Sequence, residues 1–153
     1  MSLEKDIHQL RSFRNEYQKA IVNLIFTNNW LNEKIKTFLD KEDITPQQFN
    51  ILRILRGSFP QPLSTLQIRE RMLDKMSDTS RIVDRLVVKE LVKKNSCKAD
   101  KRLVDVLITD KGKKLLEKFD AKSNEMDSLI SNLSEAEAKT LNKLLDKARG
   151  SSR

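Results

Sequence analysis

The chain has 153 residues, 34% of them charged, with only three glycines and three prolines, so a single helix-rich domain is expected rather than a turn-punctuated sheet. Thirty Lys and Arg against 22 Asp and Glu leave a formal charge of +8, which favours a polyanionic partner. No run approaches the roughly 18 apolar residues of a membrane span, MSLEKDIHQL lacks a signal-peptide core, and one cysteine and one histidine give neither a disulfide framework nor a zinc site; the expectation is a cytoplasmic protein with no membrane partner, metal or cofactor.

In chain order, Ile7, Leu10, Arg14, Tyr17, Ile21, Leu24, Asn28, Leu31, Ile35 and Phe38 follow one another at spacings of three and four, and eight of these ten are apolar. The spacing predicts one long helix with a heptad-like seam. A core helix packed on its own chain is the plain reading. The seam is long for that, so part of it is expected to meet a second subunit, with Arg14 and Asn28 as polar register devices. Thr45-Pro46-Gln47-Gln48 combines a capping box with proline at the first helical position and starts a helix whose apolar members Phe49, Ile51, Leu52, Ile54 and Leu55 run to Gly57. Phe59-Pro60-Gln61-Pro62 is the turn after it. Ser64-Thr65-Leu66-Gln67, a second capping box, opens a short helix to about Met72, which Leu66, Met72 and Leu73 are expected to pack against its neighbours. Asp74, Lys75 and Met76 turn the chain into the next helix, with Ser77 as its expected N-cap.

Residues 77–112 are the most informative stretch. At about 100° per residue, Thr79, Ile82, Val83, Leu86 and Val87 gather on one side of a helix, and Ser77, Ser80, Arg81 and Asp84 on the other. The period then changes to two: Val104, Val106 and Ile108 alternate with Leu103, Asp105 and Leu107, and residues 91–97 supply the partner strand of a hairpin. Its tip, Lys98-Ala99-Asp100-Lys101-Arg102, carries three cations. The charge follows the same division, because residues 64–114 hold 14 Lys and Arg against 8 Asp and Glu, a net +6, whereas residues 1–63 carry +2 and residues 115–153 balance. A helix offering hydroxyls and an arginine, followed by a hairpin with a basic tip, is the layout of a winged helix-turn-helix that binds DNA. Thr109 is expected to cap a helix carrying Leu115, Leu116, Phe119, Met126, Leu129, Ile130 and Leu133. A third capping box, Ser134-Glu135-Ala136-Glu137, opens the last helix with Leu141, Leu144, Leu145 and Ala148, and GSSR should fray. No internal repeat or low-complexity linker divides the chain.

The run from Ser77 to Leu86, then Leu91-Val92, Asp100-Lys101-Arg102 and Ile108-Thr109-Asp110-Lys111-Gly112, resembles the signature of the MarR (multiple antibiotic resistance regulator) family over about residues 7–148. The fold expected is mainly α with a small β-hairpin wing. Residues 1–153 form a single domain, with a winged DNA-binding part at about 45–112 flanked by dimerisation helices at about 5–40 and 113–149. One residue departs from the pattern: Glu90 stands where the family usually has the glycine ending the recognition helix. A left-handed cap there costs roughly 1 kcal/mol, so the helix either carries that cost or exits differently.

The candidate DNA contacts are Ser77, Asp78, Thr79, Ser80 and Arg81 at the N-terminal end of the recognition helix, with Arg85 beyond them. Arg81 has the fork that matches guanine O6 and N7. A solvated arginine and capping serines are the bland alternative, and Thr79 ranks last because it falls on the apolar side. Arg102 is expected to enter a minor groove. The resemblance implies that Asp100 holds Arg102 in place, while Lys98 and Lys101 touch phosphate at most. Cys97 beside Lys98 is either structural filler or a redox switch. Phe26, Trp30, Phe38 and Phe49 are core aromatics or, as the resemblance implies, the lining for a small aromatic effector. His8 is a surface residue.

The partners expected are double-stranded DNA and a second copy of the chain, on a near-palindromic operator with half-sites about 10 base pairs apart, with repression the expected outcome. Two rivals stand beside this reading: a winged-helix interaction module that does not bind specific DNA, and a cysteine-based redox regulator. An enzyme is not expected, since no glycine-rich phosphate loop or metal cluster is present and the one histidine has no evident nucleophile partner.

Overall fold

The computed structural model describes residues 1–96, 99 and 104–150. The elements in chain order are α1 (Leu3–Asp6), α2 (Glu16–Asp40), α3 (Pro46–Ser58), β1 (Leu63–Ser64), α4 (Thr65–Arg71), α5 (Thr79–Val88), β2 (Val92–Ser96), β3 (Val104–Ile108), α6 (Asp110–Asp120), α7 (Ser123–Asp127), a 3-10 turn (Ser128–Ile130) and α8 (Glu135–Arg149). The fold is mainly helical with a small antiparallel sheet, as the patterning predicts.

The capping signals act where the sequence places them. Thr45 Oγ1 accepts from the Gln48 amide at 3.1 Å while Gln48 Oε1 accepts from the Thr45 amide at 3.2 Å. Ser64 with Gln67 and Ser134 with Glu137 close the same reciprocal pair. Each box satisfies two amides that the helix cannot pair internally.

The hairpin pairs Val92 with Ile108 and Ser96 with Val104, so Val106 and Ile108 face inward and are buried. A third strand, unmarked in the sequence pattern, completes the sheet: Leu63 and Ser64 pair with Val106 and Asp105 on the other edge of β3. Two residues are too few to show a period of two. The core is one cluster in which Leu39 and Ile44, the α3 residues Ile51, Leu52 and Leu55, and Ile68, Val83, Leu86, Val106 and Leu116 exclude solvent together. Arg56 of α3 grips Asp120 of α6 with both ends of its fork, at 2.6 and 3.3 Å, and holds the end of α6 against that core.

Several expectations are corrected. The long N-terminal helix does not begin at Ile7, and Ile7, Leu10 and Arg14 of the seam lie outside α2. His8 takes a left-handed conformation (φ 53°), and Asn15 Oδ1 caps α2 by accepting from the Gln18 amide at 2.9 Å. The Gln18 side chain in turn accepts from the Arg14 amide at 2.7 Å, so a local cap outcompetes the extrapolated period. The helix expected after Thr109 breaks into α6, α7 and the 3-10 turn. Ser128 and Ser131 there return their hydroxyls to the carbonyls of Glu125 and Ser128, the kind of local bond that competes with helix continuation. Around α4, Ile68 and Met72 are buried, but Leu66 and Leu73 point to solvent.

The recognition helix resolves its missing glycine by carrying the cost. Glu90 sits at φ 62°, its amide donates to Val87 O at 2.9 Å, and the Leu91 amide donates to Leu86 O at 3.0 Å. That pair of bonds is a Schellman closure with a glutamate in the glycine position.

Candidate nucleic-acid interface

Helix α5 places its functional side chains by phase. Thr79, Val83 and Leu86 are buried, with Ile82 and Val87 half-buried beside them, so the opposite arc is left to Ser80, Arg81, Asp84, Arg85 and Val88, all exposed. Arg81 lies near the middle of that arc. Ser80 and Asp84 fall on one flank and Arg85 on the other, from the 100° step alone.

The N-cap is Asp78 rather than the expected Ser77: its Oδ1 accepts from the Arg81 amide at 3.3 Å. Aspartate caps as well as serine does, and its charge also suits the positive end of the helix dipole, so the helix starts one residue later. The Ser77 hydroxyl is buried without a hydrogen-bond partner. Thr79 is 4% exposed and its Oγ1 is likewise unpaired, so its side chain faces the protein and has no path to a base edge. Both line a notch of about 430 Å³ between α4 and α5, together with Thr65, Leu66, Arg69, Asp78 and Ser80. Arg69 is exposed on α4 beside the start of α5 and is a functional candidate that sequence reasoning misses. Nothing in its spacing marks it; only the crossing of the two helices brings it to this edge.

The base of the wing is held by a compact set of bonds. Thr109 Oγ1 donates to Glu90 O at 2.7 Å and accepts from the Gly112 amide at 3.1 Å, while the Thr109 amide donates to Leu91 O at 3.0 Å. A Cβ on Gly112 would lie 2.4 Å from Leu91 O, so only glycine lets α6 start this close to the strand. On the wing strand, Lys94 Nζ donates to Asp84 Oδ1 of α5 at 2.6 Å, a contact that no spacing in the sequence foretells. Lys98, Asp100, Lys101, Arg102 and Cys97 lie outside the described residues.

The four aromatics are not brought together around a cavity. Phe38 and Phe49 pack on Phe119, with ring centroids 5.5 and 5.3 Å apart, whereas Phe26 and Trp30 are exposed on α2. A depression of about 600 Å³ lies elsewhere, between the loop after α2, the end of α5 and α6, and is lined by Lys89, Lys111, Lys114 and Lys118 with Glu42 and Asp43. Three of those lysines are already engaged: Lys89 with Gln48 at 3.1 Å and with Asp43, Lys111 with Lys89 O at 3.1 Å, and Lys118 with Glu42 at 3.7 Å. Asp43 and Glu42 cancel about half of the lysine charge an anion would meet there. Among the described residues no group of His, Cys, Asp and Glu could hold a metal, and no helix is long and apolar enough to cross a membrane.

One further surface is marked by what it lacks. Tyr17, Ile21, Leu24 and Ile25 of α2 are 47–82% exposed, and none of the described residues of α8 is buried, with Leu141 and Leu144 open to solvent.

Comparison with known proteins agrees with this geometry. A family model described as "MarR family" matches residues 44–104, which run from just before the capped α3 to the first residue of β3. In solved structures, the fold is similar to E. coli MarR in a mutant form complexed with operator DNA, at 25% identity and TM-score 0.78 over 90% of this chain and 99% of that one. It is similar also to the S. aureus MepR–DNA complex, at 25% identity and TM-score 0.77 over 92% and 100%. Among curated proteins, the transcriptional regulator MhqR of Bacillus subtilis is 31% identical over 116 residues, 75% of this chain and 79% of that protein. A shared sequence over that length, on a winged helix-turn-helix whose Thr109 and Gly112 are explained by the packing of the wing base, makes this chain a member of the MarR family.

Proposed function

We propose that the protein is a transcriptional regulator that binds double-stranded DNA sequence-specifically as a homodimer, on a near-palindromic operator and as a repressor. The observation that carries this is the exposed arc of α5: a capped helix start whose outward side chains include Ser80, Arg81 and Arg85 beside Asp84 and Val88, in the segment that holds +6 of the chain's +8 charge. Residues 45–112 form the head. In this reading Arg81 reads a base edge in the major groove, Asp78 positions the helix start, Ser80 and Arg85 flank Arg81, and Arg69 meets phosphate, while Ser77 stays a candidate from the sequence pattern alone. Thr79 leaves the set because its side chain is buried. Asp100 and Arg102 serve as the minor-groove wing, with Lys98 and Lys101 on phosphate; this part rests on the sequence pattern.

The second subunit is called for by the apolar side of α2 and by α8, whose leucines would otherwise stay in water. Phe26 and Trp30 keep exposed rings on α2, so a site for a small aromatic effector built from them needs the partner subunit's surface to close it. An effector there would act by changing the separation of the two heads.

Selection of bound sequences from random duplex DNA tests the reading. The expected product is a near-palindrome with half-site centres about 10 base pairs apart. On that site Arg102→Ala should weaken binding and flatten the log-log salt slope by about 0.9 for every phosphate that Arg102 neutralises. Failure to enrich any sequence would leave the interaction-module reading in its place.

A further inference from the structure

The cations of a DNA-binding face are ordinarily counted as phosphate contacts, yet one of them here is already taken. Val92 and Lys94 lie on the same face of β2, because side chains alternate along a strand. Val92 is buried on the core side, so Lys94 continues that face outward toward α5. There its Nζ donates to Asp84 Oδ1 at 2.6 Å, with side-chain exposures of 40% and 60%. Lys93, one residue earlier, points to the opposite face. The phase of α5 sets the position of Asp84, which stands one residue after the buried Val83 and two before the buried Leu86.

We propose that Asp84 is a specificity-determining residue for DNA binding, which acts by holding Lys94 away from phosphate. This rests on the reading of the chain as a DNA-binding protein. A carboxylate on the DNA-facing arc is costly near phosphates, and a free lysine on the wing strand adds affinity for any sequence. Paired, each cancels the other. The result lowers binding to random DNA while leaving Arg81 to discriminate, and it ties the recognition helix to the wing so that both meet the duplex at one fixed spacing.

The test measures affinity against salt on two duplexes, one of random sequence and one enriched by selection, for wild type, Asp84→Asn, Lys94→Gln and the double variant. Lys94→Gln should leave the wild-type salt slope unchanged, because that ammonium makes no phosphate contact. Asp84→Asn frees it, so the slope on random duplex should steepen by about 0.9 per subunit, binding there should tighten roughly fivefold per subunit near 0.15 M salt, or about thirtyfold for the dimer, and the preference for the selected duplex should narrow. Adding Lys94→Gln to Asp84→Asn should restore the wild-type slope. A Lys94→Gln variant that flattens the wild-type slope overturns the proposal. So does an Asp84→Asn variant that weakens both duplexes equally at constant slope, the signature of a merely structural pair. The Lys94→Gln arm decides alone if Asp84→Asn does not fold. Wild-type protein with no salt-dependent retention of DNA defeats the underlying reading instead, and is seen before any variant is made.

Discussion

Gly112→Ala probes how the base of the wing is fastened. The new Cβ would stand 2.4 Å from Leu91 O and 2.7 Å from Ile108 Cγ1, and the first of these is backbone that already accepts the Thr109 amide. Relief to an ordinary contact of about 3.4 Å requires the start of α6 and the start of β2 to part by roughly 1 Å, which stretches that hydrogen bond from 3.0 Å beyond its useful range. Overpacking costs about 1–3 kcal/mol. A peptide group left unpaired costs about 1–3 kcal/mol more. Alanine's advantage over glycine inside a helix returns about 1 kcal/mol. The net destabilisation is about 3 kcal/mol. At a denaturant dependence of about 2 kcal/mol per molar, the urea midpoint should fall by about 1.5 M, measured at one fixed protein concentration because association contributes to stability. A midpoint at or above that of wild type would refute the account of why glycine occupies this position.

Glu90→Gly should act in the opposite direction, raising stability by about 0.5–1 kcal/mol by relieving the left-handed glutamate at φ 62°, and thermal unfolding checks the sign. Its exposed contact with Lys111 at 3.7 Å is too weak to offset that gain. Leu24→Asp on the unpartnered side of α2 should yield monomers at micromolar concentration in sedimentation; a persistent dimer would move the subunit contact elsewhere. Acid should release α1 from α2. The Lys19 ammonium, 2.5 Å from Glu4, holds that carboxyl below its ordinary range, so the stabilisation is present above the unfolded-state pKa and fades as pH falls through the lower folded one. Protection of the Ile7 amide, which donates to Leu3 O at 3.0 Å, should therefore fall below about pH 4, and equal protection at pH 3 and pH 7 would show that the pair does not hold α1.

The parts of the fold that are legible in the sequence are those marked by short-range chemistry. A capping box needs only four residues, and all three stand where the sequence places them, because each satisfies amides that no distant contact could reach as cheaply. The hairpin is legible for a similar reason, since the switch from a period near 3.6 to a period of two happens within a few residues of Leu91. What escapes depends on distant partners. The two-residue β1 exists only because β3 has a free edge beside Leu63, and Asp84 meets Lys94 only after the chain has turned through Glu90. The exposed arc of α5 with Ser80 and Arg81 is legible from helical phase, and the same phase places Thr79 on the apolar side, where the structure buries it.

The corrections outside the head share a physical cause. Ile7, Leu10 and Arg14 satisfy the seam's spacing, but spacing states only which residues would share a face if the backbone were helical there. Asn15 decides the matter with one side-chain bond, at a place where no core rewards the longer helix: Leu10 is 98% exposed. The break after α6 is of the same kind, because Phe119 is the last residue there that reaches the core, and beyond it the serines bond to their own turns. Inside the head, by contrast, the core enforces even a strained Glu90. Marginal helix segments flanking a firmly packed head are what two-fold assembly would need, since their apolar residues gain a reason to stay helical only when a second copy covers them. Dimerisation should then lower the amide exchange of residues 16–31 and 135–149 far more than that of α3 or α5, and uniform protection across all four helices on dilution to monomer would contradict it.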